Sequence, residues 1–349
     1  MRAISAADAV SLAIQRTRDF LFRPFNWGTY LKLGLVAIVT EGSGGNFNFS
    51  HNLKSSSHSG TPLTPGPGFV SPPSLSPIAI AAIATAVMLV MVLAIFLSYL
   101  IIRLRFAYFN CLIHNTKEIR PGWWIYRAQA LRFFWLNLVV GFCFFVVAIL
   151  VAIPFAAGFM RLYRGTQQGN PLDIGLLLSL LLPLIPIVLL LVLAAILANL
   201  VLRDCMLPHI ALDDASTGEA WFEVWTRIKA EKKQFFVYAL LRIALPITAF
   251  VGLFMVLLIP WLMVAGSVAA IEFGIHSAFA GASGVSAVVG MLLQFFFGVL
   301  AFGFALLAWI CFGGPVSTGI REYALIFYGG RYQELGDALY PTPAPPATV

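Results

Sequence analysis

Long apolar stretches fill most of the chain, and the residues that interrupt them are mainly basic. Four runs, 78–102, 133–153, 172–202 and 285–312, reach or exceed the roughly 20 residues that a helix needs to cross a bilayer. A fifth, 235–271, is too long for one straight crossing, and Pro260 predicts its division into a spanning part and an outer extension. A sixth, 27–40, is short, carries Lys32 and stops at Glu41. With Lys32 snorkelling to the surface it makes a short span, and the competing reading is a half-inserted interfacial helix. A cleavable signal peptide fits poorly, because the basic region would run to roughly 30 residues and 39–42 is a poor small-residue cleavage site.

Between these runs the pattern turns helical and half-polar. Val10, Ile14, Thr17 and Leu21 share one helical face, as do Trp221, Val224, Trp225 and Ile228. Ser5-x-x-Asp8 and Ser216-x-x-Glu219 are capping-box signals, and Pro121 suits a first helical turn. The starts of alternate spans also resemble one another: Tyr30-Leu31-Lys32-Leu33, Trp135-Leu136-Asn137-Leu138 and Leu240-Leu241-Arg242-Ile243, with Lys32, Asn137 and Arg242 separated by 105 residues each time. Ile153-Pro154-Phe155 and Ile259-Pro260-Trp261 follow at a spacing of 106. These features predict an all-α fold: a polytopic transmembrane helical bundle of about six spans, built from three parallel repeats of an inner-surface amphipathic helix plus a hairpin, at about 5–102, 104–202 and 204–312. The whole forms one transmembrane domain over 1–330, with a flexible outer loop at 41–77 and a disordered Pro-rich tail at 331–349.

Composition narrows the class. Of the 349 residues 60% are hydrophobic and 11% charged, against about 45–50% and 25% in soluble domains. That excludes a soluble globular protein and a disordered chain, and four Cys are too few for a disulfide scaffold. With six spans and the N-terminus inside, the inner segments hold 17 of the 22 Lys and Arg, while the outer loops hold only Lys54, Arg161 and Arg164. This asymmetry predicts an inner-membrane protein with both termini cytoplasmic. Seven of the eight Trp fall near the predicted inner boundaries, a depth that amphipathic rings favour.

Candidate chemistry is sparse. Phosphate-binding loops, dinucleotide fingerprints, His-Glu-x-x-His and Gly-x-Ser-x-Gly are absent from the sequence. Cys111-x-x-His114 and Cys205-x-x-x-His209 offer metal-ligand types, but at unequal spacings that read as boundary packing. Asp204, Asp213, Asp214, Glu219 and Glu223 form the one acidic cluster; a cation-using lipid enzyme would want such carboxylates, but the polar face and capped start of an amphipathic helix, which explain Glu219 without any ligand, are the favoured reading. No catalytic, cofactor or metal residue is assigned. The candidate intramembrane polar positions are Lys32, Asn137, Asn199, Arg242 and Gln294. Arg16, Arg18, Arg23, Arg120, Arg127, Arg132, Lys229, Lys232 and Lys233 make a basic inner belt suited to anionic lipid headgroups. The same charge needs no nucleic acid partner, because it is spread along a membrane.

The run from Arg23 to Gly34, Arg-Pro-Phe-Asn-Trp-Gly-Thr-Tyr-Leu-Lys-Leu-Gly, followed by the Gly/Asn-rich stretch 41–49, resembles the start of a group of uncharacterised prokaryotic six-span membrane proteins. The helix-plus-hairpin plan is more distantly similar to the membrane domain fused to some glycerophosphodiester phosphodiesterases. The resemblance implies a membrane architecture over roughly 5–330 with no assigned chemistry, and no soluble phosphodiesterase domain is present here. Three functional readings follow: a non-enzymatic scaffold or lipid-associated factor, favoured by the basic belt and the lack of a convergent polar site; a transporter or channel for a small or lipidic solute; and an inner-face lipid-processing enzyme.

Overall fold

The computed structural model describes residues 4–42, 77–167, 174–279, 281 and 283–340, and the described chain is helical almost throughout, with no strand. In chain order the helices are α1 (Asp8–Phe22), α2 (Trp27–Ala37), α3 (Pro77–Ile113), α4 (Arg120–Ile125), α5 (Arg127–Gln167), α6 (Ile174–Leu200), α7 (Leu207–Leu212), α8 (Thr217–Ala230), α9 (Lys232–Ala278), α10 (Val285–Gly329) and α11 (Gln333–Leu339). Two π-helical segments, Ile38–Gly42 and Val201–Met206, interrupt this series. The outer loop expected at 41–77, with Lys54, lies outside the described residues except at Glu41, Gly42 and Pro77.

Among the described residues, five helices are long and apolar enough to cross a membrane: Ile80–Ile113, Arg127–Thr166, Ile174–Leu212, Lys232–Ala278 and Val285–Gly329. Their large side chains are mostly exposed, as a lipid-facing surface requires. The chain is thus an integral membrane protein by architecture. Residues 27–40 do not add a sixth such helix. α2 has 11 residues, about 16 Å at 1.5 Å per residue, half a hydrocarbon core. It also packs against α10. Tyr30 donates to the Cys311 carbonyl at 2.5 Å, Gly34 faces Ile310 and Gly314, and Ile38 faces Gly313. Glycine makes the close approach possible: a Cβ on Gly314 would stand 2.7 Å from the Gly34 Cα.

The division expected at Pro260 does not occur. α9 runs unbroken for 47 residues through Pro246 and Pro260. At about 70 Å it exceeds a bilayer with its headgroup regions, roughly 40–45 Å. A proline removes one hydrogen bond, and long apolar helices tolerate that loss where neighbouring groups adjust.

The buried core lies at one end of the molecule. There the second halves of α3 and α10, the π segment before α7, and the start of α9 close around Phe106, Tyr108, Phe109, Met206, Tyr238 and Phe327. α1 packs on α10 through Ala9, Ala13, Thr17, Phe20 and Leu21, while Ile14 is exposed. The buried stripe is thus rotated from the predicted one, because small alanines allow close approach where Val10 and Ile14 would hold the helices apart. On α8, Ala220 and Val224 are buried and Trp221 and Trp225 point outward, stacked at 6.0 Å. Ser216 and Glu219 form the predicted capping box. The disorder expected from 331 also needs correction: residues 333–339 form α11, with Leu335, Gly336 and Leu339 buried, since these side chains supply an apolar face for the end of α10. Residues 341–349 lie outside the described residues.

Candidate functional site

Within the packed end, four arginines from four helical segments surround two carboxylates. Arg203 and Glu41 form an ion pair, and Arg242 Nη2 reaches Glu41 Oε2 at 3.1 Å. Asp204 accepts from Arg242 Nε at 2.8 Å, from Arg321 Nη1 at 3.0 Å and from the Tyr238 hydroxyl at 2.8 Å. Arg105 donates to the Thr40 carbonyl at 3.1 Å, beside Glu41. The Glu41 and Asp204 side chains are 4% and 1% exposed. Charges removed from water this thoroughly survive only when paired and hydrogen-bonded.

The π segments explain how these groups meet. Both acids sit in one, Glu41 in Ile38–Gly42 and Asp204 in Val201–Met206. A π turn adds a residue to the helical repeat, re-aims the side chains and leaves carbonyls free for other donors. The Glu41 carbonyl accepts from Arg203 Nη1 at 3.3 Å, and the Arg203 carbonyl accepts from Arg321 Nη1 at 3.1 Å. The cluster nevertheless carries two more positive than negative charges. Beside it Arg16 pairs with buried Glu322 at 3.1 Å, which leaves the excess unchanged. Arg105 Nε, Arg203 Nε and Arg321 Nη2 are buried without a hydrogen-bond partner.

A cavity of about 470 Å³ opens along α9 and α10 from this cluster. Glu41, Arg242 and Ser317 supply its polar end, and Pro246, Phe250, Leu257 and Phe312 are among its apolar walls. Trp261 and Ala305 are shared with a second, almost wholly apolar cavity of about 1030 Å³ farther along the same helices.

A second polar network ties α11 down. His209 contacts Asp213 Oδ2 at 3.2 Å, the Tyr328 hydroxyl at 2.8 Å and Arg227 Nη1 at 2.5 Å. Tyr332 donates to Asp213 and lies 3.1 Å from Glu334 Oε2. Burial would raise the Asp213 carboxyl, but hydrogen bonds to Glu334, Tyr332 and His209 hold it below its ordinary value. The hydrogen bond with Asp213 holds Glu334 above its own.

The sequence-predicted positions separate. Lys32 is exposed, while Asn137, Asn199 and Gln294 are half-buried. Asn137 lines a different cavity, with Ser98, Phe134 and Phe145. Arg242, one of the candidate intramembrane polar positions, enters the cluster. Arg18, Arg23, Arg120, Arg127, Arg132, Lys229, Lys232 and Lys233 are exposed. Arg16 is engaged by Glu322 and by the carbonyls of Leu112 and Leu339. The acidic cluster divides among separate partners, Asp204 to the arginines, Asp213 to His209 and Tyr332, Asp214 to Arg132, Glu219 to Ser216 and Glu223 to Arg227. Among the described residues no three His, Cys, Asp or Glu side chains are placed to hold a metal.

The expectation that no polar site converges is wrong. From the sequence Glu41 reads as the end of a short span, and Arg105, Arg203 and Arg321 as bases of the inner segments. The signal that marks three of them is the apolar stretch after each arginine, 106–109, 205–207 and 323–328, where a surface loop would turn polar.

No curated protein and no solved structure matches the chain. The comparisons give no support for likeness to the membrane domains of glycerophosphodiester phosphodiesterases. Residues 4–338 match a family described as "Family of unknown function (DUF7544)", and the chain belongs to that family.

Proposed function

We propose that this protein is a non-enzymatic, lipid-associated factor of a prokaryotic inner membrane, with its packed end on the cytoplasmic side. The observation that carries the reading is the pairing of exposed aromatics with exposed bases at the packed end. Phe25 and Trp27 accompany Arg18 and Arg23; Trp124 and Ile125 accompany Arg120 and Arg127; Trp221, Phe222 and Trp225 accompany Lys229, Lys232 and Lys233. Lys229 Nζ lies 5.3 Å from the Trp225 ring centroid. Aromatic rings beside bases suit the headgroup layer of an anionic leaflet. Each patch falls in one of the three expected repeat units, so the parallel-repeat plan remains part of this reading. Arg103, stacked 4.4 Å over Trp123, and the Arg132–Asp214 pair serve structure instead.

The test replaces Arg120, Arg127, Lys232 and Lys233 together with glutamine. At about 1 kcal/mol for each base near an anionic leaflet, co-purified phosphatidylglycerol should fall in a salt-dependent manner. Unchanged lipid retention refutes the belt. Labelling of a cysteine at position 232 from outside intact cells refutes the orientation.

A further inference from the structure

The cavity between α9 and α10 joins two features that are rarely adjacent: a buried cluster with excess positive charge and a long apolar wall. Arg242 stands at the junction. Its Nε and Nη2 are committed to Asp204 and Glu41, and its Nη1 makes no hydrogen bond among the described residues. Ser317, on the facing helix, likewise donates no hydrogen bond there and lines the same end of the cavity. Two donors thus face the polar end beside Glu41, whose Oε1 lacks a donor, backed by arginines whose buried nitrogens lack acceptors.

The apolar dimension fits as well. From Arg242 to Trp261 is about 28 Å at 1.5 Å per residue, and one leaflet's share of a roughly 30 Å hydrocarbon core is about 15 Å. An acyl chain of that length starting at Arg242 lies against Pro246 and Phe250 and ends near Leu253, all cavity residues.

We propose that this cavity is a site for one anionic phospholipid, with the headgroup phosphate accepting from Arg242 and Ser317 and an acyl chain lying between α9 and α10. The phosphate offsets the positive excess that Glu41 and Asp204 leave. A free phosphate would leave the apolar wall without an occupant, and a diacylglycerol would leave the guanidiniums without an acceptor. The site rests on the chain's being a lipid-associated membrane protein, but it is distinct from the basic belt. The belt engages many exchangeable lipids through screened surface charge, whereas the cavity holds one lipid through partly buried groups.

The experiment is native mass spectrometry of the delipidated, detergent-purified protein, titrated separately with phosphatidylglycerol, phosphatidylethanolamine, diacylglycerol and inorganic phosphate. One phosphatidylglycerol should remain bound at high salt, with at least about tenfold preference over the other three probes. The double variant Leu253→Trp/Ala308→Phe fills the cavity without touching the charged cluster, and should lose that lipid while keeping the wild-type unfolding temperature. Arg242→Gln should lose it as well. The belt variant should keep it, which separates failure of this site from failure of the belt. Retention by the cavity-filled variant overturns the proposal. So does equal retention of phosphatidylethanolamine or diacylglycerol, or binding of inorganic phosphate with no preference for the lipid.

Discussion

Asp204→Asn tests whether the buried cluster holds the packed end together. The carboxylate accepts three bonds of 2.8, 2.8 and 3.0 Å, from Tyr238, Arg242 and Arg321. Asparagine keeps the shape but replaces one acceptor oxygen with a donor and removes the charge, leaving four guanidiniums around Glu41. Removing one partner from a buried pair costs about 3–5 kcal/mol, because the other charge stays desolvated. That is a large share of the roughly 5–15 kcal/mol by which proteins are stable. Arg242→Met should also destabilise, by leaving Asp204 and Glu41 each with one cation fewer. The double variant should cost less than the sum of the two singles by about 1–3 kcal/mol, the coupling range of residues in direct contact. Cys111 and Cys205 are buried and Cys143 is exposed, so a thiol-reactive dye reports unfolding of the packed end in a Cys143→Ala/Cys311→Ala background. A single-variant loss below about 1 kcal/mol, typical of exposed pairs, or strict additivity in the double variant, would refute the argument.

Two further outcomes follow from the geometry. Gly314→Leu should break the α2–α10 contact, since even a Cβ meets the Gly34 backbone at 2.7 Å; protease cleavage within 27–37 should rise sharply, and wild-type resistance would contradict the packing. The docking of α11 should depend on pH with opposite signs at its two carboxyls. Asp213, lowered in the folded state, stabilises above its unfolded value and loses that contribution as the pH falls through its folded value. Glu334, raised, stabilises below its unfolded value and loses that contribution as the pH rises through its folded one. Hydrogen-exchange protection of 333–339, corrected for intrinsic rates, should therefore peak in the acidic window between the two folded values. Asp213→Asn should remove the peak, and a flat profile in the wild type would show that the pair does not hold the helix.

Some of this protein was legible in its residues alone. Unbroken apolar runs determine an all-helical membrane protein, because a backbone in hydrocarbon must satisfy its own hydrogen bonds. The capping box at Ser216 and Glu219 was equally readable, since its partners stand three residues apart. The failures share a different cause. Pro260 looks like a break, yet only the neighbours of α9 decide whether a lost hydrogen bond can be absorbed. Ile14 looks like core, yet the small faces of Ala9 and Ala13 decide how close α10 comes. Arg203 and Arg321 look like surface charges, because one sequence position carries no information about a carboxylate 162 or 280 residues earlier. Glu41 looks like the polar end of a span, yet a π turn carries it into the arginines. Composition and periodicity sum over neighbours along the chain, and they determine what solvent each segment needs. Pairing of buried charges depends on contacts between distant segments, and that was decided only when the helices packed.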